Sequence, residues 1–64
     1  MDKYNQDKHT AQTIKQLKKL IDNGNIDKAV VYLKIENEKC KLNNGVDASK
    51  AFMTDVMMSI KLGF

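Results

Sequence analysis

Apolar residues in this chain recur at intervals of three and four, the period of amphipathic helices and not of strands. Ile14, Leu17 and Ile21 form one such stripe, with Leu20 at its edge and Gln12, Lys15, Gln16 and Lys19 opposite. The stripe ends at "DNGN", where Gly24 suits the left-handed position that closes a helix. A second helix, "IDKAVVYLKIENEKCKL", carries two stripes. The main one is Ile26, Ala29, Val30, Leu33 and Cys40. The other, nearly opposite, is Val31, Ile35 and Leu42, with Glu38 interrupting it. A helix with two apolar sides touches neighbours on both, so it belongs in the middle. After the stop signal "NNG" and Gly45, Phe52, Met53, Val56, Met57 and Ile60 share one wide arc of a third helix. Ala51, Met58 and Leu62 occupy another sector of it. The pattern predicts an all-α fold with helices near residues 6–22, 25–43 and 47–62. These form a small three-helix bundle, or a helical hairpin plus a third helix, and oligomerisation is expected.

Local signals refine the boundaries. Met1 to Lys8 lack a periodic pattern and read as a flexible or frayed N-terminal arm. Thr10 can cap the first helix, or Asn5 if it starts earlier. Asn25 can cap the second helix and Asp47 the third, with Val46 packing on Ala51 as a hydrophobic staple.

With 64 residues the chain makes a single domain. A chain this short is marginally stable alone and usually needs a staple. Cys40 is the lone cysteine, so no disulfide can form within the chain. A Cys/His metal set would hold only Cys40 and His9, so no metal and no cofactor is expected. Helix packing and self-association remain. No apolar run reaches the length of a membrane span, and "MDKYNQDKHT" has no apolar core of a signal peptide. The expected location is cytoplasmic, with no membrane partner.

The formal charge of +3 comes from eleven lysines and no arginine. Arginine supplies the bidentate fork that reads guanine and phosphate, so its absence weighs against base recognition. Lysines can still hold a phosphate backbone as point charges. "KCKLNNGVDASKAFMTDVMM" resembles a helix-turn-helix motif at Gly45-Val46-Asp47, where a glycine and a small apolar residue precede a cap. It departs from that pattern at Lys41, where a small residue is expected, and in a Met- and Phe-rich would-be recognition helix. On this alternative reading Lys15, Lys18, Lys19, Lys34, Lys41 and Lys50 contact nucleic acid. "NGNIDKAVVYLK" is similar to the hairpin turn of a tetratricopeptide repeat over about a dozen residues. Thr13, Gln16 and Leu17 depart from it, so shared hairpin physics explains the likeness.

Catalytic chemistry finds little footing. His9 lies in the polar N-terminal region and reads as an exposed surface histidine. Cys40 falls on the main stripe and reads as a buried, inert thiol. Glu36 and Glu38 are two apart on a helix and cannot form a carboxylate pair. "DNGNID" fails as a calcium loop: Gly24, Asp27 and Leu33 occupy the third, sixth and twelfth positions. No phosphate-binding glycine motif is present.

The expected function is therefore binding, not catalysis. Three helices cannot bury every stripe, and exposed contiguous apolar surface usually marks an interaction site. Flexible methionines suit such a surface. The expected partner or dimer interface is Val31, Ile35, Leu42, Met53, Met57, Met58, Leu62 and Phe64. The partner is another protein, with a homodimer favoured among self-assemblies. A small inhibitor, adaptor or regulator fits, and size and composition alone suggest that a phage or other mobile element encodes it.

Overall fold

The computed structural model describes residues 4–63. Three helices are packed against one another: α1 (Gln6–Asp22), α2 (Ile26–Asn44) and α3 (Val46–Lys61). They run up, down and up. Gln6 at the start of α1 donates to the Ala48 carbonyl at the start of α3, and the Asn44 amide at the end of α2 donates to the Gln6 side chain. No strand occurs among the described residues.

Asn5 caps α1, its side-chain oxygen accepting from the Lys8 N–H at 3.1 Å. Thr10 is the alternative cap that fails. It sits inside the helix, buried, and bonds back to the Gln6 carbonyl at 2.8 Å. Gln6 to Lys8 are helical, within the range 6–22 expected for the first helix, and residues 1–3 lie outside the described part. Gly24 has φ +78°, and the Gly24 and Asn25 amides turn back to the Ile21 and Leu20 carbonyls. These bonds occupy the last carbonyls of α1.

Two expected caps are corrected. Asn25 holds the cap position of α2 but makes no side-chain cap bond. The cap of α3 is Gly45, not Asp47, which sits in the first turn. Val46 is the first helical residue and stays exposed, as does Ala51, so no staple forms. Gly45 alone joins α2 to α3, with φ +93° and ψ −179°, a conformation essentially restricted to glycine. A one-residue connector leaves no room for a separate capping side chain.

Leu17, Ala29, Cys40, Phe52 and Val56 form the buried apolar core, with Ile14, Leu20, Ile21, Tyr32, Leu33, Ala48 and Met53 packed around it. Thr10, Thr13, Glu36 and Ser49 are buried with them. The core is thus polar toward the Gly45 end and apolar toward the Gly24 end. The main stripe of α2 is only partly covered: Ile26 and Val30 remain 60% and 49% exposed. They sit at the edge of that stripe nearest α3, and α3 does not close over them.

Candidate functional site

The structure offers two kinds of surface. The first is a hollow of about 380 Å³ over the polar part of the core, lined by Tyr4, Lys8, His9, Gln12, Glu36 and Lys39 among others. His9 is its centre. The reading of His9 as an exposed side chain is overturned: only 12% of the side chain is accessible. Its ring stacks on the fully buried Phe52 with centroids 5.0 Å apart. His9 Nε2 lies 3.0 Å from Glu36 Oε1, and Tyr4 Oη lies 2.6 Å from His9 Nδ1. Lys39 Nζ closes the chain at 2.9 Å from Glu36 Oε2.

Proton placement follows from the donor inventory. An ionised Glu36 can only accept, so Nε2 carries the hydrogen between them, and the Tyr4 hydroxyl, which can donate or accept, occupies Nδ1. Burial of Glu36 pushes its carboxyl up, but the bonds from Lys39 and His9 outweigh burial and hold it below the usual carboxylate range. Burial, the Cys40 thiol and the Glu36 charge push the Tyr4 hydroxyl well above its ordinary range, so it stays a donor. Both imidazole nitrogens are therefore engaged inside the cluster. Among the described residues no buried side-chain nitrogen or oxygen lacks a partner. Cys40 is fully buried beside them.

The second kind of surface is apolar. Ile26 and Val30 on α2 face Met57 and Ile60 on α3 across a groove of about 200 Å³, floored by Leu17, Ile21, Ala29 and Leu33. Met53, Met57, Met58 and Lys61 line a neighbouring hollow on α3. Val31, Ile35 and Leu42 lie on the outer side of α2, 57%, 51% and 83% exposed, away from both other helices. Of the remaining residues expected at an interface, Met57, Met58 and Leu62 are exposed and Met53 is half-buried. Phe64 lies outside the described residues. The structure separates this set. Val31, Ile35 and Leu42 form one face, the methionines another, and Leu62 sits near Ile14 and Lys15 on a third.

Lys15, Lys18, Lys19, Lys34, Lys41 and Lys50 are all exposed and spread over the three helices. α3, the would-be recognition helix, directs Met57, Met58 and Asp55 outward beside Lys50 and Thr54. Periodicity alone places Ile26, Val30 and Ile60 with the core, so sequence reasoning misses their exposure. Among the described residues no helix is long and apolar enough to cross a membrane. The class that fold and surface define is a small all-α three-helix bundle. Comparison with protein-family models, curated proteins and solved structures gives no significant match.

Proposed function

We propose that this chain is a small non-catalytic modulator that binds another protein through the groove between α2 and α3. The observation that carries this reading is the groove itself: Ile26, Val30, Met57 and Ile60 stand open to solvent above an entirely apolar floor. A folded chain this small gains nothing by exposing that surface unless something covers it. The methionines along one rim adapt to an irregular partner. Both rims carry a lysine one turn beyond a groove residue, Lys34 after Val30 and Lys61 after Met57. The occupant that fits is an amphipathic helix of a partner protein, its apolar stripe flanked by acidic side chains. The engagement of both His9 nitrogens and the burial of Cys40 support a role without catalysis. An inhibitor, adaptor or regulator works by such binding, and the cytoplasm is the compartment this reading assumes.

The test compares proteins captured from the native host by the wild-type chain, by Val30→Asp and Met57→Asp, and by the distant surface variant Lys15→Glu. A stoichiometric partner should be held by wild type and Lys15→Glu and lost by the two groove variants. All four should have equal helical content by circular dichroism. A partner retained equally by all four refutes the groove. Salt-sensitive binding to duplex DNA, weakened by Lys18→Ala with Lys19→Ala, would replace this reading with the nucleic-acid one.

A further inference from the structure

The outer side of α2 is a different surface from the groove and carries its own pattern. Lys28, Val31, Ile35, Glu38 and Leu42 recur at alternating steps of three and four, the spacing of a coiled-coil seam. All five are exposed. Asp27, Lys28, Val31, Tyr32 and Ile35 shape a shallow apolar hollow along the first half of that face. α1 and α3 pack against the opposite side of α2, where Ala29, Glu36 and Cys40 are buried, so among the described residues nothing obstructs the seam.

We propose that this seam pairs with the same seam of a second copy, antiparallel, about a two-fold axis between Val31 and Ile35. The charges decide the orientation. In the antiparallel register Val31 meets the partner's Ile35, and Lys28 meets the partner's Glu38. The two-fold axis repeats each contact, giving two apolar layers closed at both ends by opposite charges. On one flank Asp27 faces the partner's Lys41, and on the other Tyr32 faces the partner's Tyr32. Leu42 overhangs the partner's Gly24. Beyond Gly24 and its two chain neighbours, no described atom lies within 4 Å of the point where a side chain at Gly24 would begin, so the turn leaves space there. One like-charge contact opposes pairing, Lys34 against the partner's Lys34 near the axis.

The alternatives fare worse. A parallel pair in register sets Lys28 against the partner's Lys28 and Glu38 against the partner's Glu38. Sliding the antiparallel pair by one heptad places Ile35 against the partner's Glu38 and leaves both carboxylates without a cation. Only the first register satisfies every charged position on the seam. Two Val–Ile layers make a small contact, so the dimer should be weak, with a Kd in the micromolar range or above.

Sedimentation equilibrium from micromolar to millimolar chain concentration tests the proposal, with circular dichroism confirming that each variant folds. Wild type should pass from monomer to dimer, and Ile35→Asp should stay monomeric. Lys28→Glu and Glu38→Lys should each weaken the dimer about tenfold or more, because each turns two attractive contacts into repulsive ones. The double variant Lys28→Glu with Glu38→Lys should restore it to within about threefold of wild type. Parallel pairing predicts the opposite: single reversals leave like facing like and change little. A wild-type chain that stays monomeric overturns the proposal. So does a dimer indifferent to the single reversals, or one the double variant fails to restore. Val30→Asp leaves this dimer intact, so its outcome stands apart from that of the groove.

Discussion

Replacing Glu36 by alanine tests whether the His9–Glu36 pair is the buried structural contact the geometry describes. Glu36 is 8% exposed, and removing its carboxylate leaves His9 Nε2–H facing a methyl group at the floor of the hollow, with only 12% of the His9 side chain accessible. An unsatisfied buried donor costs about 1–3 kcal/mol, and bonds involving a charged partner lie at the upper end. Lys39 is 60% exposed, so water replaces its share of the contact. The small hole left by the side chain adds to the loss. The expected destabilisation is about 2–3 kcal/mol, a Tm decrease on the order of 8–24 °C for a domain of this size. Glu38→Ala, two residues away and exposed, should stay within about 0.5 kcal/mol of wild type. Urea denaturation at pH 7 gives the free energies. A double-mutant cycle with His9→Ala should show a coupling of about 1–2 kcal/mol. The pH dependence has a definite sign. The folded carboxyl sits below its ordinary value of 4.5, so its contribution is fully present above that value and disappears as pH falls below it. The gap between wild type and Glu36→Ala should therefore narrow only below about pH 4.5. A loss under about 0.5 kcal/mol at pH 7, or no coupling to His9, refutes the assignment of the pair as a buried contact.

Further outcomes follow from the connector and the core. Gly45→Ala should destabilise by about 2 kcal/mol or more in denaturant titrations, because Gly45 occupies a backbone region closed to side chains. Gly24→Asn should cost less than about 1 kcal/mol, since asparagine tolerates the left-handed conformation. Phe52→Ala should remove about 3–5 kcal/mol, enough to unfold a chain this short, and circular dichroism would show the lost helix. Phe52→Leu should fold, and the His9 ring protons should move in NMR spectra because their stacking face is gone. Cys40 should react with a thiol reagent only at the rate of unfolding; immediate labelling in the native state would contradict its burial.

Much of the fold is legible in the sequence because helix periodicity and glycine stops act locally. The three helices begin and end within one residue of the expected ranges, and Leu17, Ala29, Cys40, Phe52 and Val56 are buried where the stripes place them. The polar part of the core is not legible in the same way. Glu36 pairs with His9 across 27 positions and Ser49 with Asn37 across 12, and such matches depend on how helices align. A faint signal exists. The stripe Ala29, Leu33, Cys40 skips one step, and Glu36 fills it. Likewise Thr10 and Thr13 continue the stripe of Leu17 toward the N-terminus. Polar residues in step with an apolar stripe point to buried partners elsewhere in the chain. The exposure of Ile26 and Val30 is hidden for the converse reason: periodicity reports which side of a helix is apolar, not whether a neighbour reaches it.

The mixed layer near Gly45 also bears on how the chain selects one arrangement. Leu, Ile and Val make interchangeable contacts, so sliding α2 by a turn along α1 could rebuild much of the apolar packing. It could not rebuild the pairing of His9 with Glu36 or of Asn37 with Ser49, and a stranded carboxylate would penalise every shifted alignment. Apolar replacements throughout that layer could raise total stability while letting several alignments approach the same energy. Four polar side chains thus act as the alignment key of an otherwise permissive bundle.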